Sequence, residues 1–100
     1  MPQLISLTLE LAAPEAKQRR LLAQGPGWKI LLLDLRNGGD VPVHSAPGPI
    51  TVHCLQGPAD FALNGEWRTL NAGDIQTVEA NIPHAVKAPQ GAVLLVHIVA

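Results

Sequence analysis

The chain of 100 residues has few aromatic residues, few charged residues and a single cysteine. Aromatic residues make up 3% and charged residues 15% of the sequence, whereas apolar residues make up 47%. This composition is too apolar for an intrinsically disordered protein. Because Cys54 is the only cysteine, an internal disulfide is excluded, and we expect a reducing compartment.

Long hydrophobic runs are also missing. The longest runs, 30–33 and 92–96, have the length of strands and fall far short of the roughly 20 residues that a bilayer helix needs. The N-terminus lacks the basic region and the small-residue cleavage site of a secretory signal peptide. The sequence therefore predicts a cytoplasmic protein that does not insert into a membrane.

Charge of either sign is sparse, with a formal net charge of -1 at pH 7. The one basic cluster, 17–20, is short and has no interleaved aromatic residues, so we expect no nucleic-acid partner. Low net charge combined with high apolar content favours association. We therefore predict a specific homodimer.

Turn-forming residues divide the chain into short segments about ten residues apart, which is typical of an all-β sandwich or barrel. The sequence Asn64-Gly65 is the strongest hairpin signal, because both residues tolerate the positive φ of a type I′ turn. No linker or internal repeat divides the chain, so we predict one domain over 1–100. The candidate strands are 28–35, 50–56, 59–63, 66–70, 75–79, 84–88 and 92–99.

The segment 15–23 is ambiguous between a helix and a strand. Its intrinsic propensities favour a short helix with Pro14 in the first turn. Its neighbours are strands, however, and the sequence Gly-Pro-Gly at 25–27 could turn it back onto 28–35 as a hairpin. We therefore predict a strand over about 18–24.

Two segments of the chain each hold a histidine at a fixed distance from a glycine. The first ends at Gly57 and contains His44 and His53, and the second runs from Gly73 to His84. An inter-strand segment separates them. This spacing is the one by which a small β-barrel brings two distant histidines to one interior position.

These segments resemble the two motifs of the cupins, G(X)5HXH(X)3–4E(X)6G and G(X)5PXG(X)2H(X)3N. Counting back from Gly57 puts His44 at the first histidine of the first motif, Ala46 at the second histidine and Ile50 at the glutamate. Ala46 and Ile50 therefore replace two of the residues that the first motif requires.

Counting forward from Gly73 puts His84 at the histidine of the second motif. Glu79 then stands at the proline position, Asn81 at the glycine and Ala88 at the asparagine. The resemblance covers about 36–100. It implies an all-β, double-stranded β-helix (jelly-roll) barrel.

In the cupins, the three histidines and the glutamate of these motifs hold a divalent metal. This chain keeps only His44 and His84 by position. The resemblance therefore implies an incomplete ligand set for Fe, Mn, Ni or Zn, and a protein without any cofactor is the alternative. Zinc sites usually need three or four protein ligands, and an iron oxygenase site needs two histidines and a carboxylate.

Strand parity indicates which other side chains share the pocket. If Ile50 faces inward, Val52 and Cys54 face inward as well, and His53 points outward. A one-residue bulge after the turn at 47–49 would reverse this and make His53 a third metal ligand. His97 is predicted to point outward as well, because Leu94, Val96 and Ile98 form the more regular apolar face of its strand.

Several residues have a structural and a functional interpretation. Cys54 is predicted to be a small buried core residue, and the alternative is a nucleophile with His44 as its base. Trp28 and Trp67 fit core or dimer packing, and the alternative is a wall that stacks on a ligand.

The first function hypothesis is a module that binds or senses a small molecule in a mostly apolar pocket marked by His44, His84, Cys54 and Val52. The alternative is a metal-dependent enzyme of the dioxygenase or isomerase type. A third hypothesis is a barrel filled by its own side chains, without a small ligand. His44 and His84 themselves have three interpretations: polar residues that line the barrel mouth, ligands of a bound metal, or acid–base groups that work without a metal.

Overall fold

The computed structural model describes residues 3–12 and 18–99, which form one short helix and nine strands. These are α1 (Leu7–Ala12), β1 (Arg19–Gly25), β2 (Trp28–Leu35), β3 (Asp40–His44), β4 (Ile50–Gln56), β5 (Ala59–Leu63), β6 (Glu66–Leu70), β7 (Ile75–Val78), β8 (His84–Lys87) and β9 (Ala92–Val99). All seven candidate strands are present with bounds within one residue of those predicted.

The strands form two antiparallel sheets. The five-stranded sheet has the order β1-β2-β9-β4-β7, and the four-stranded sheet has the order β3-β8-β5-β6. Consecutive strands such as β3 and β4 lie in different sheets, so the chain crosses repeatedly between the two layers. The predicted all-β double-stranded β-helix is confirmed.

The core lies between the two sheets and consists of small and branched apolar side chains with one aromatic ring, Phe61. Along β4, buried Ile50, Val52 and Cys54 alternate with partly buried residues, as the predicted parity requires. The buried core residues are Leu31, Leu35, Ile50, Val52, Cys54, Ala59, Phe61, Leu70, Val78, Val86, Ala88, Ala92, Leu94 and Val96.

The ambiguous segment after residue 17 is a strand. Arg19–Gly25 pairs with β2 from Arg19 opposite Leu33 to Gly25 opposite Trp28, and Gly27 has a φ of 78° in the turn between them. Pairing with the edge of an apolar sheet therefore overrides the local helix propensity. Residues 14–17, which begin the alternative helix, lie outside the described residues.

The Asn64-Gly65 hairpin joins β5 and β6 as predicted. Leu63 lies opposite Glu66, and the two residues between them have φ angles of 50° and 86°. Both angles lie in the left-handed region that a type I′ turn requires.

Two elements were not predicted from the sequence. The strand β3 contains Pro42, which is tolerated because β3 is an edge strand that pairs only with β8, with a register shift between Val41 and His44. Helix α1 has six residues, too few for a periodic pattern, and Arg20 holds it through a hydrogen bond of 2.8 Å to the carbonyl oxygen of Glu10. Within residues 3–12 and 18–99, no helix is long and apolar enough to cross a membrane.

Candidate functional site

A cavity of about 800 Å³ lies between the two sheets. Its walls come from both layers, and the edge strands β1 and β3 also contribute side chains to it. Its apolar lining includes Leu31, Ile50, Val52, Phe61, Val86 and Val96. The cavity leaves space between the sheets beside these six side chains, which are themselves at most 8% exposed.

His44 and His84 meet on the wall that the four-stranded sheet contributes. They lie directly opposite one another in the β3–β8 ladder, although forty positions separate them in the sequence. Their ring centroids are 4.2 Å apart, with an angle of 62° between the ring planes. Both residues line the cavity.

The same backbone contact orients both imidazoles. The Nδ1 atom of His44 lies 2.9 Å from the carbonyl oxygen of Pro42, and the Nδ1 atom of His84 lies 3.0 Å from that of Ile82. Because a carbonyl oxygen only accepts hydrogen bonds, each Nδ1 must carry the proton and donate it. In the neutral ring, Nε2 then keeps its lone pair for a ligand.

Burial keeps His84 neutral. Its side chain is 4% exposed and stacks on Phe61, with 6.0 Å between the ring centroids. This burial lowers the pKa of His84, and the neighbouring His44 lowers it further, while the hydrogen bond to Ile82 opposes the shift. At neutral pH, Nε2 of His84 is therefore an acceptor.

We expect the protein to lose stability as the pH falls below about 6.5, the ordinary pKa of histidine. The pKa of His84 is lower in the folded protein, so the unfolded chain binds this proton first. The stability from neutral His84 is thus complete above that pH and is lost as the pH falls toward and through the folded pKa. Denaturant unfolding at several pH values from about 7.5 to about 5 measures the loss.

The matched variants are His84→Gln and His97→Gln, since His97 is exposed on β9. The loss of stability between the two ends of this pH range should shrink in His84→Gln and persist in His97→Gln. An undiminished loss in His84→Gln would assign the pH dependence to another group.

Of the other predicted pocket residues, Val52 lines the cavity and Cys54 does not. Cys54 faces inward but lies beyond the end of the cavity, where its thiol donates to the carbonyl oxygens of Gln56 at 3.4 Å and Leu70 at 3.7 Å. Burial, with the charge of Asp74 adding to it, raises the pKa of this thiol. Cys54 is thus a protonated core residue, and the geometry gives no support for a nucleophile activated by His44.

His53 and His97 are placed away from the cavity. The pairing of β4 with β7 and β9 runs without a shift from Ile50 to Cys54, so no bulge reverses the parity of His53. His97 lies opposite Thr51, on the same outward face as His53. The register therefore does not deliver His53 as a third ligand beside His44 and His84.

The donor set is too small for the metal site that the sequence motifs imply. Ala46 and Ile50, which take two of the ligand positions, line the cavity with apolar side chains. Within the described residues, no group of three or more His, Cys, Asp or Glu side chains is arranged to hold a metal ion. The side chains that are present therefore do not by themselves fit a resident metal.

The two tryptophans are half-exposed and do not line the cavity. Trp28 is 43% exposed and Trp67 is 49% exposed, and Lys87 Nζ lies 4.9 Å from the ring centroid of Trp67. Neither forms a stacking wall for a ligand in this cavity. The aromatic residue in the cavity wall is the buried Phe61, which was not singled out from the sequence, although it is the only phenylalanine and lies in a predicted strand.

Comparison with known proteins places this barrel in a family. The family model described as the cupin domain matches residues 31–99. The chain belongs to the cupin family. The resemblance that the histidine segments suggested is thereby confirmed, and the match begins within strand β2 of this cupin.

Solved structures agree with this assignment. A conserved protein of unknown function from Streptococcus pyogenes is 30% identical, with a TM-score of 0.74 over 81% of this chain and 71% of that one. A cupin superfamily protein from Desulfitobacterium hafniense is 24% identical, with a TM-score of 0.81 over 99% of this cupin and 94% of that chain.

A third similar structure is an uncharacterised conserved protein with a double-stranded β-helix domain from Klebsiella pneumoniae. It is 16% identical, with a TM-score of 0.82 over 99% of this cupin and 90% of that chain. The comparison with curated proteins gives no match. These likenesses show the family and the fold, and the activity must be argued from the site.

Proposed function

We propose that this cupin binds or senses a small molecule in the cavity between its two sheets. The observation that carries the proposal is an apolar cavity of about 800 Å³ with two adjoining imidazoles on its wall. Small-molecule sites are typically apolar concavities of roughly 300–1,000 Å³ with a few polar groups that orient the ligand.

The two parts of the lining would recognise different parts of a ligand. Leu31, Val52 and Val96 on one sheet and Phe61 on the other would bury an apolar body, at roughly 25 cal/mol for each Å² removed from water. Nε2 of His84 would accept a hydrogen bond from an O–H or N–H group, because Nδ1 is already committed to the backbone. The ligand is thus an apolar compound with at least one donor.

A neutral fluorescent probe tests the proposal. N-phenyl-1-naphthylamine has an apolar body and one N–H donor, and its emission increases when it leaves water. We expect saturable binding in the presence of a chelator. The variant Ile98→Trp should weaken it by narrowing the cavity, because Ile98 lines the cavity and is only partly buried.

The matched control is Val99→Trp, since Val99 is the next residue of β9 and is 54% exposed outside the cavity. Binding should survive in this variant. No saturable binding to the unaltered protein, or equal binding by both tryptophan variants, would contradict the proposal.

The second candidate is a metal-dependent enzyme of the dioxygenase or isomerase type. One observation favours it: each Nδ1 donates to a backbone carbonyl, which is how metal-binding histidines are commonly oriented. His44 and His84 would be two of the ligands, and the substrate or water would have to complete the set.

Metal analysis separates the two candidates when the protein is purified without chelator or nickel resin. An enzyme of this type should retain close to one equivalent of Fe, Mn, Ni or Zn and lose it in His84→Ala. Less than about a tenth of an equivalent, with no rise after these metals are added, would exclude the second candidate while leaving the first in place.

A further inference from the structure

The charged side chains of the cavity are distributed unequally between its two ends. Apart from the histidines, the ionisable residues that line the cavity are the cations Arg19 and Lys29 and the carboxylate Asp40. Arg19 and Asp40 begin the strands β1 and β3, and Arg19 lies opposite Leu33 near the end of β2. One charge of each sign therefore lies toward that end.

Lys29 lies at the other end, with the histidines. It is opposite Ile98 at the end of β9, and Ile98 is opposite Ile50 at the start of β4. The loop 45–49 leads to Ile50 directly from His44, at the end of β3. No carboxylate among the lining residues accompanies Lys29 at this end.

Backbone hydrogen bonds of the loop 45–49 tie this end of the barrel together. The N–H of Val99 donates to the carbonyl oxygen of Pro49 at 3.0 Å, and the N–H of Asn81 donates to that of Ala46 at 2.7 Å. The end of β9 and the segment just before His84 are therefore held to one loop. Lys29 and the two imidazoles share one end of the cavity.

Lys29 and the imidazoles would contact different groups of a ligand. Neutral His84 offers a lone pair at Nε2 and would repel an anion placed there. Lys29 offers only donors and a positive charge. The ion pairs of the described residues join Arg20 to Glu10, Arg36 to Asp34 and Arg68 to Glu66, so none of them uses Lys29.

We propose that the ligand is an amphipathic anion, with an acidic group held by Lys29, an apolar body in the cavity and a separate N–H or O–H group at the imidazoles. This assignment rests on the proposed function and adds the charge of the ligand to it. Carboxylates, sulfonates and phosphate esters share the required chemistry. Lys29 is the residue that selects them over neutral compounds.

A matched pair of probes tests this selection. The compound 5-anilinonaphthalene-1-sulfonate is N-phenyl-1-naphthylamine with one sulfonate added on the other ring, away from the N–H group, so the two probes share an apolar body and a donor and differ by one anionic group. We expect the anionic probe to bind more tightly to the unaltered protein, with a preference that weakens as salt is added. In Lys29→Met its affinity should fall about three- to tenfold, while that of the neutral probe changes little.

The control variant is Lys87→Met, because Lys87 lies outside the cavity against Trp67. It should leave the affinities for both probes unchanged, and circular dichroism should show that both lysine variants are folded. Equal affinity of the unaltered protein for the two probes would overturn the inference. So would a loss of anion binding in Arg19→Met but not in Lys29→Met.

The two proposals fail in different ways. If the neutral probe does not bind to the unaltered protein, the cavity is not a small-molecule site and the proposed function fails. If the neutral probe binds and Ile98→Trp weakens its binding, but the anion gains nothing from Lys29, the proposed function stands and only the charge assigned to the ligand is wrong.

Discussion

Replacing Phe61 by alanine should lower the free energy of unfolding by about 3–5 kcal/mol, the usual cost of removing a fully buried aromatic side chain. Phe61 is 0% exposed and is the largest of the fully buried side chains. It lies both in the core and on the wall of the cavity, and it stacks on His84. The substitution thus removes apolar contacts and the support of one imidazole. Denaturant unfolding followed by circular dichroism measures the change.

Two other substitutions show whether burial is the cause. Phe61→Leu keeps most of the apolar volume and should cost clearly less than Phe61→Ala. Trp67→Ala removes a larger ring that is half-exposed on the four-stranded sheet, and it should cost less than Phe61→Ala even though more atoms are lost. A loss below about 1 kcal/mol for Phe61→Ala would mean that the two sheets do not enclose this ring.

The strands were largely predictable because turn residues mark their ends. Glycine, proline and asparagine separate apolar runs of the right length, and the positive φ angles at Asn64 and Gly65 show that the hairpin signal had a backbone cause. The strand β3 was missed because Pro42 is typical of turns, and only its position at a sheet edge makes it compatible with pairing. Edge position depends on tertiary structure, so local sequence does not reveal it.

The candidate site was predictable only in part. The motif positions correctly predicted that His44 and His84 come together, but their places opposite each other in the β3–β8 ladder follow from tertiary structure, since β3 was not predicted. Parity correctly gives the outward direction of His53 and the inward direction of Cys54. Parity does not tell how far along the barrel the cavity extends, and so it placed Cys54 in the pocket, although the cavity ends before it.

Lys29 was missed for a different reason. It lies beside Trp28 at the start of a strand whose remaining residues are nearly all apolar, where a lone lysine is typical of solvated strand ends. Its relation to the histidines depends on the pairing of β2 with β9 and on the loop 45–49. Both are long-range contacts. Single-sequence reasoning can therefore identify the histidines of this cavity but not the charge that accompanies them.

Replacing Gly91 by alanine should destabilise the protein by about 2–4 kcal/mol, more than the same substitution at Gly65. Both glycines have left-handed φ angles, 87° and 86°, so the conformational penalty of about 1–2 kcal/mol applies equally. A Cβ atom at Gly91 would lie 2.6 Å from the carbonyl oxygen of Arg36, whereas one at Gly65 would meet nothing within 4 Å.

The difference in unfolding free energy between the two variants therefore reports how closely the turn between β8 and β9 approaches the backbone just after β2. The atom that a Cβ at Gly91 would strike is the main-chain carbonyl oxygen of Arg36, so the clash can be relieved only by moving the main chain. Denaturant unfolding of both variants under identical conditions measures the difference. Equal losses would show that the turn and the end of β2 are further apart than this packing requires, and the pairing of β2 with β9 that positions Lys29 would then need revision.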